Sequence, residues 1–205
     1  MAIHPSQLLH RDAMTVHLQN GGAALLPTDT LPALASLPDQ AAQIWQLKCR
    51  PQDKPLILMG ADAETLLLHV QPVARTDALA LALLHWPGAL TLVLPALGGW
   101  AEVLNPGVAT IGLRIPACQP TLELLHSSGP LATTSANVSG RPASCNENDA
   151  AAVFPHLPLL APIPWPEPSR EASSVIAWHG PQQWHWLRKG AVIPTGMEAS
   201  PECSG

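Results

Sequence analysis

The 205-residue chain has no tyrosine and one phenylalanine, and its four cysteines are scattered. Cys49, Cys118, Cys145 and Cys203 lack the paired spacing of a zinc site or a disulfide framework, and the nine histidines form no metal-binding motif. A structural metal and stabilising disulfides are therefore not expected, and a reducing cytoplasm is the predicted location. With so few other aromatic residues, the tryptophans are expected to pack in the core rather than to stack on nucleic-acid bases.

The sequence is also poor in charge: 12% of residues are charged, 47% are hydrophobic, and the net charge is −5. This composition excludes wholesale disorder and the basic footprint of a general nucleic-acid-binding protein. The apolar run 78–94 is interrupted by His85-Trp86-Pro87-Gly88, which predicts helix, turn and strand rather than a membrane span. Residues 1–19 contain charged side chains, so they predict an amphipathic helix and not a signal peptide.

Three familiar catalytic or nucleotide-binding motifs are missing from the sequence. It has no G-x-x-x-x-G-K-[ST] loop, no G-x-G-x-x-G turn and no G-x-S-x-G elbow. A nucleotide would therefore have to be held by side chains and by backbone at strand ends. Ser135 has no evident base partner, so a hydrolase is not favoured.

Strand-like and helix-like segments alternate along the chain, which predicts α/β architecture. Predicted strands are 23–26, 56–59, 90–94, 110–115, 131–134, 174–178 and 184–187, and predicted helices are 39–48, 62–70, 75–85, 119–127 and 147–153. Residues 155–168 are rich in proline and form either an ordered extended crossing or a mobile loop. We expect a single domain over residues 1–193 and a flexible tail over 194–205.

The sequence concentrates three cations, Lys48, Arg50 and Lys54, within seven residues. A helix with a predicted N-cap at Asp39 ends just after Lys48, because Pro51 disfavours helical backbone at Arg50. In an extended exit, Lys48 and Arg50 would project to the same side and form a cationic claw for phosphate or carboxylate. The alternative is that these cations only complement the dipole at the end of the helix.

Two further polar pairs have the same i, i+2 spacing and follow predicted strands: Thr28 with Thr30, and Ser135 with Asn137. Open α/β sheets bind ligands beyond the ends of their strands, so these pairs and the claw are expected to meet at one pocket. The alternative is that the hydroxyl and amide groups only satisfy the backbone of turns.

Six blocks of the sequence occur in a characteristic order. They are Pro27–Thr30, Lys48–Leu56, Trp86–Thr91, Gly112–Pro116, Ser135–Pro142 and Leu187–Ala191. Together, over residues 20–191, they resemble the YrdC/TsaC family of threonylcarbamoyl-adenylate synthases. The resemblance implies an α/β fold with a twisted, mostly mixed open sheet, flanked by helices, around a basic cavity. It also implies an enzyme, a nucleotidyltransferase of the single-domain type.

The resemblance also implies roles for individual residues. Those expected to contact the threonine substrate are Thr30, Arg114, Ser135 and Ser173. Those expected to contact ATP are Lys48, Arg50, Lys54, Thr110, Asn137 and Arg188, with Lys48 and Arg50 as the catalytic cations. Guanidinium and ammonium groups suit a carboxylate and a triphosphate, in agreement with these assignments. Arg114 or Arg188 could instead be a surface ion-pair partner.

The implied reaction joins L-threonine and bicarbonate into a carbamate, whose oxygen attacks the α-phosphorus of ATP and expels pyrophosphate. The threonylcarbamoyl-AMP product would supply the threonylcarbamoyl modification of adenosine 37 in tRNA, with a downstream threonylcarbamoyl transferase complex as partner. Mg²⁺ is expected to be held mainly by the phosphates, since the sequence shows no acidic cluster for a metal cage.

Several positions depart from the common family pattern, namely Leu31–Ala33, Met59, Cys145 and Ala172–Ser174. Pro32 and Met59 remove polar contacts from the expected threonine pocket, so a paralogue that acts on a different acceptor is one alternative. A second is a non-catalytic module of the same fold that binds tRNA or double-stranded RNA. A third, the carbamoyl-phosphate-using domain of hydrogenase maturation proteins, comes with cysteine-paired zinc modules that this chain lacks.

Overall fold

The computed structural model describes residues 3–49, 51 and 54–197, which form ten strands and seven α-helices. The strands are β1 (Leu8–Leu9), β2 (Ala24–Leu26), β3 (Ala33–Ser36), β4 (Ile57–Met59), β5 (Leu90–Pro95), β6 (Thr110–Arg114), β7 (Leu131–Ser135), β8 (Leu159–Leu160), β9 (Ser174–Gly180) and β10 (Gln183–Arg188). The helices are α1 (Arg11–Gln19), α2 (Ala42–Leu47), α3 (Ala63–Leu67), α4 (Pro72–His85), α5 (Trp100–Leu104), α6 (Gln119–Ser128) and α7 (Glu147–Val153).

All ten strands belong to one mixed sheet in the order β1-β8-β2-β3-β7-β4-β6-β5-β9-β10. Neighbouring strands pair in parallel at β1–β8, β8–β2, β4–β6 and β5–β9, and antiparallel at the remaining five contacts. An open mixed sheet flanked by helices confirms the predicted fold class. Because the sheet mixes directions, strands far apart in sequence lie side by side at its centre, and their ends meet there.

The two faces of the sheet are covered unequally. The larger core packs side chains of β4, β5 and β6, such as Leu58, Leu92 and Leu113, against helices that include α2 and α4. A smaller core on strands β2, β3, β7 and β8 is covered by α1 and α6, through Met14 and Leu124. Over the centre of the sheet, the face opposite the larger core is left for a cavity.

The seven predicted strands are all present, whereas β1, β3 and β8 were not predicted. The sequence of β3 is Ala-Leu-Ala-Ser, which has little of the β-branched and aromatic content that marks a strand. It is a strand because β2 and β7 pair with it on either side. Two helix starts are corrected as well. Asp39 lies in a short 3-10 turn and α2 begins at Ala42, while the N-terminal helix begins only at Arg11.

The proline-rich stretch is an ordered crossing in the structure. Pro158 accepts a hydrogen bond from the backbone of β2, and the backbone N–H groups of Ser169 and Arg170 donate to Asp29 and Thr30. Trp165 is buried, and Trp178, Trp184 and Trp186 pack partly buried against the same core, as predicted. The described part of the chain has no helix with the length and apolar character to cross a membrane.

Candidate active site

A cavity of about 510 Å³ lies on the open face of the sheet. In β6, Thr110, Gly112 and Arg114 line the cavity, whereas Ile111 and Leu113 pack in the larger core. Strands β4 and β5 alternate in the same way, because successive side chains of a strand point to opposite faces. The polar residues of otherwise apolar strands are thereby gathered on one surface.

Arg114 is the most deeply buried charge of the cavity, with 4% of its surface exposed. Its Nε donates to the Gly88 carbonyl at 3.0 Å, its Nη1 to Thr30 Oγ1 at 2.8 Å and its Nη2 to Asp29 Oδ1 at 2.8 Å. Burial lowers the pKa of Arg114 from its ordinary value, and the Asp29 carboxylate opposes that shift. The guanidinium is therefore held rigidly at the end of β6, with part of its donor capacity still directed to the cavity that it lines.

Arg188, at the end of β10, is anchored through Ser173. Its Nε donates to the Ser173 carbonyl at 3.0 Å and its Nη2 to Ser173 Oγ at 3.2 Å. Thr91 Oγ1 lies 2.9 Å from the same hydroxyl. Burial lowers the pKa of Arg188, and the positive charge of Arg188 in turn lowers the pKa of Arg114. The two guanidinium groups thus share one cavity, where Asp29 neutralises one of the two charges and an anion would be stabilised.

In the loop after β2, Thr28 and Thr30 bear out both interpretations of this pair, namely that the hydroxyl groups satisfy a turn and that they lie at the pocket. Thr28 Oγ1 accepts hydrogen bonds from the backbone N–H groups of Thr30 and Leu31, so its hydroxyl satisfies the turn. Thr30 Oγ1 accepts from Arg114 and lies in the cavity wall. Both residues therefore line the cavity, and Thr28 also satisfies the backbone of the turn.

Lys48 is buried, with 1% of its surface exposed. Its Nζ donates to the Ser135 carbonyl, to the Asn137 carbonyl at 2.6 Å and to Asn137 Oδ1 at 3.0 Å. Ser135 Oγ donates to Asn137 Oδ1 at 2.7 Å, and Asn137 Nδ2 donates to the carbonyls of Val138 and Arg141. The ammonium group therefore holds the loop after β7 in place, 87 residues away in sequence.

The predicted cationic claw of Lys48 and Arg50 is wrong for Lys48, the member of the pair that the structure describes. Lys48 has helical backbone angles and Cys49 has φ of 48°, so the exit from α2 is not extended and the side chain of Lys48 turns inward. Arg50 lies outside the described residues. Lys54 is exposed and is not in the cavity wall, and its carbonyl accepts a hydrogen bond from Trp45 Nε1.

Six of the predicted site residues come together around the cavity: Thr30, Thr110, Arg114, Ser135, Ser173 and Arg188. Lys48, Lys54 and Asn137 are not in its wall. The contact between Ser173 and Arg188 joins a residue expected on the threonine side to one expected on the ATP side.

Sequence reasoning missed several polar residues: Thr91, Asn105, Thr133 and Thr134 line the cavity, and Asp29 contacts Arg114 in its wall. Thr91 is the one polar residue of β5, and it shares the cavity face of that strand with the apolar Val93, so the strand's own pattern does not mark it as a site residue. Asn105 also lines the cavity, and its Nδ2 donates to Thr110 Oγ1 at 3.3 Å. No local sequence pattern predicts the ion pair between Asp29 and Arg114, because these residues are 85 positions apart in the sequence.

The residues that depart from the family pattern divide between two hollows. Leu31, Ala33, Met59 and Ala172 line the main cavity and give it an apolar section. Cys145 instead lines an adjoining hollow of about 150 Å³, which shares Thr28 with the main cavity.

The sequence and the fold of this chain are both similar to those of known proteins. The family model Sua5/YciO/YrdC, described as telomere recombination, matches residues 16–190. The chain is similar to the threonylcarbamoyl-AMP synthase of Pyrococcus abyssi, with 36% identity over 141 residues, which are 67% of this chain and 41% of that protein. It is also similar to the threonylcarbamoyl-AMP synthase of Bos taurus, with 33% identity over 192 residues, which are 88% of this chain and 68% of that protein.

The fold is similar to the crystal structure of P. abyssi Sua5 complexed with L-threonine, with a TM-score of 0.80 and 28% identity. That alignment covers 89% of this chain and 57% of the Sua5 chain. The chain thus spans about two fifths to three fifths of the P. abyssi proteins that it matches.

Proposed function

The chain belongs to the Sua5/YciO/YrdC family, and from this premise we propose that it is a threonylcarbamoyl-AMP synthase acting on L-threonine, bicarbonate and ATP. The observation that carries the proposal is a cavity of about 510 Å³ in which Arg114 and Arg188 share a wall with several hydroxyl groups. Its volume falls within the roughly 300–1,000 Å³ of typical small-molecule sites. Two cations against one carboxylate favour anionic ligands, as a carboxylate and a triphosphate both are.

In this proposal, Arg114 binds the threonine carboxylate. Its contacts with Gly88, Thr30 and Asp29 use three of the five N–H donors of a guanidinium, which leaves two for a ligand. Ser135 and Ser173, also in the cavity wall, supply hydroxyl groups to the same substrate. Rigid anchoring favours this role, since a preorganised cation loses little entropy when the carboxylate arrives.

ATP would occupy the part of the cavity near Arg188 and Thr110, with its phosphates toward the cations of the 48–54 segment. Arg50 and Lys54 are the proposed triphosphate ligands there. Asn137 and Lys48 are proposed to act indirectly, because Lys48 holds the Ser135–Asn137 loop against the cavity.

The chemistry begins when the threonine amine attacks bicarbonate and water leaves, which yields a carbamate. A carbamate oxygen then attacks the α-phosphorus, the bond from that phosphorus to the bridging oxygen breaks, and pyrophosphate departs with the electron pair. Alignment of the reactants and stabilisation of negative charge are what such a transfer requires, and fixed guanidinium groups supply both. The described residues contain no cluster of three or more histidine, cysteine or acidic side chains, so Mg²⁺ would enter on the triphosphate.

The product is a mixed anhydride and a reactive acyl donor, so a downstream transferase must consume it. We place that transfer in the threonylcarbamoyl modification of adenosine 37 in tRNA, in the cytoplasm. The RNA-binding alternative is less favoured, because Lys48 and Arg114 are buried and cannot reach the backbone of a large nucleic acid.

A second candidate keeps the reaction and changes the acceptor. Met59, Leu31 and Ala33 give the cavity an apolar section, and Met59 is the register partner of Arg114 between β4 and β6. A larger or more apolar amino acid than threonine would gain contact with such a surface.

The test is mass spectrometry of the protein mixed with ATP, Mg²⁺, bicarbonate and each amino acid in turn, together with an assay for pyrophosphate. We expect a threonylcarbamoyl-AMP mass and pyrophosphate release that requires both threonine and bicarbonate. A carbamoyl-AMP adduct of another amino acid alone would establish the second candidate. ATP turnover that ignores both threonine and bicarbonate would refute the synthase reaction. Arg114→Met is expected to raise the KM for the amino acid far more than the KM for ATP.

A further inference from the structure

Thr91 carries a buried hydroxyl group that the proposed reaction leaves without a role. It lies in β5 with 1% of its surface exposed, on the face of the strand that lines the cavity. Its two branches face different neighbours. A methyl group added to Gly112 of β6 would lie 3.7 Å from the Thr91 methyl, whereas the Thr91 hydroxyl lies 2.9 Å from Ser173 Oγ, just before β9. A buried hydroxyl costs free energy unless it is hydrogen-bonded, and in the described part of the chain Ser173 is the one hydrogen-bond partner of Thr91 Oγ1.

The side chain of Arg188 depends on Ser173 for its position. Both of its hydrogen bonds with the described residues go to Ser173, from Nε to the carbonyl at 3.0 Å and from Nη2 to Oγ at 3.2 Å. Arg188 is exposed, and no ion pair among the described residues includes it. The position of Ser173 Oγ therefore helps to decide where the guanidinium points, and Thr91 is the other group that holds this oxygen.

The hydroxyl group of Ser173 has two possible directions for its single proton. A hydroxyl donates once and accepts twice, and a guanidinium only donates, so Arg188 occupies one of the two lone pairs of Ser173 Oγ. Thr91 either donates into the second lone pair or accepts the Ser173 proton, since either oxygen can be the donor. In the first arrangement the Ser173 proton is available to the cavity, and in the second it is not.

An anionic ligand selects the first arrangement. A carboxylate only accepts hydrogen bonds, so a carboxylate bound at Ser173 requires the Ser173 proton, and Thr91 can then only donate to Ser173. The donors run in one direction, from Thr91 to Ser173 to the carboxylate, and hydrogen bonds in such a chain strengthen one another. Valine at position 91 would remove the first donor of the chain and leave one lone pair of Ser173 unfilled.

We propose that Thr91 is a positioning residue, whose hydroxyl turns the Ser173 proton toward the carboxylate of the amino-acid substrate and holds Ser173 where it anchors Arg188. The proposal rests on the proposed function, because it takes the ligand at Ser173 to be an amino acid. Thr91 acts through Ser173 and not by contact with the reacting atoms. Since Ser173 is assigned to the amino acid and Arg188 to ATP, the loss of the Thr91 hydroxyl should weaken the binding of both, and that of the amino acid more.

Calorimetric titration of the full chain tests the proposal without turnover, with ATP and separately with L-threonine or the amino acid that the product screen identifies. Thr91→Val keeps the shape of the side chain and removes the hydroxyl. The dissociation constant for the amino acid is expected to rise about 3- to 10-fold, as the loss of one hydrogen bond implies. Thr91→Ser keeps the hydroxyl and removes a buried methyl, so it should bind as the wild type does although it unfolds at a lower urea concentration. A purely structural role instead predicts that affinity follows stability in both variants.

Two further measurements test whether the effect passes through Ser173. In a Ser173→Ala background, Thr91→Val should have no additional effect on affinity, because the partner of the hydroxyl is gone. In ¹⁵N-labelled protein without ligand, the Nε–H signal of Arg188, assigned by its absence in Arg188→Lys, should shift in Thr91→Val and stay near its wild-type position in Thr91→Ser. This second measurement does not depend on the identity of the substrate.

The outcomes separate this proposal from the proposed function. A Thr91→Val protein that binds the amino acid as tightly as the wild type overturns the role of Thr91 and leaves the synthase reaction in place. So does an equal loss of affinity in Thr91→Ser, or a full effect of Thr91→Val in the Ser173→Ala background. A wild type that binds no amino acid and forms no adenylate refutes the proposed function instead, and an unshifted Arg188 signal in Thr91→Val would then overturn the positioning role as well.

Discussion

Replacing Asp29 by asparagine would test whether this carboxylate compensates the charge buried in the cavity wall. Asp29 Oδ1 accepts hydrogen bonds from Arg114 Nη2 at 2.8 Å and from the Ala117 backbone at 3.0 Å. Asparagine keeps an acceptor of nearly the same size and removes only the negative charge. The side chains of Arg114 and Asp29 are 5% and 16% exposed, so water screens the pair weakly.

The magnitude follows from this burial. Two unit charges about 4 Å apart interact by about 4 kcal/mol at an effective dielectric constant of about 20. Removing one partner of a buried ion pair costs roughly 3–5 kcal/mol, because the other charge stays buried without compensation. Since the amide oxygen still accepts hydrogen bonds, we expect Asp29→Asn to lower the free energy of unfolding at pH 7 by about 2–4 kcal/mol.

The assay is urea unfolding followed by tryptophan fluorescence, for which the chain has seven reporters. Glu167→Gln is the matched control, because it makes the same chemical change in an ion pair whose side chains are 81% and 63% exposed. We expect no measurable change in that variant, since exposed pairs contribute little. If Asp29→Asn unfolds at the same urea concentration as Glu167→Gln and the wild type, the carboxylate does not compensate Arg114 and the reasoning is wrong.

Three further predictions concern other parts of the chain. Lys48→Met should lower the free energy of unfolding by about 1–3 kcal/mol in the same urea assay, because it leaves two partly buried carbonyls of the loop after β7 without their donor. An unchanged urea midpoint would contradict this role. Hydrogen bonds from Trp178 and the Gln182 backbone lower the pKa of Asp77. Their stabilisation is present above the unfolded pKa and is lost as the pH falls through the folded value, so the urea midpoint of Asp77→Asn should vary less than that of the wild type between about pH 5 and pH 2. Exposed Cys49 should react with iodoacetamide in the native protein, whereas Cys118, which is buried and whose pKa burial raises, should react only after unfolding, as peptide mass mapping would report.

Much of the architecture was readable from local sequence. The predicted strands are short stretches, mostly apolar or rich in β-branched or aromatic residues, with proline or glycine close to many of their ends, and that pattern predicted seven of the ten described strands. It could not predict β3, whose residues acquire strand structure only by pairing with β2 and β7. The start of α2 was misplaced because Asp39 is an acceptable N-cap by residue type, yet the backbone there forms a 3-10 turn.

The residues of the candidate site were likewise predicted only in part. Residues at strand ends were recognised because hydroxyls, amides and arginines follow apolar strands, and six of the expected positions line the cavity. The direction of Lys48 could not be predicted, since the extended exit assumed for it depends on Cys49, which adopts a positive φ. Thr91 was overlooked because a single threonine in a strand is unremarkable until the neighbouring strands show which face is open.

The sequence by itself determined most of the helices and strands and the chemical groups available for a site, because hydrophobic periodicity and residue type act over a few neighbouring positions. Only the tertiary structure decided which groups meet. Arg114 lies beside Asp29 and Thr30 across more than 80 residues, and Lys48 reaches the loop after β7 across 87. Such pairings depend on strand order in a mixed sheet and on burial, and neither is encoded within any short stretch of the chain.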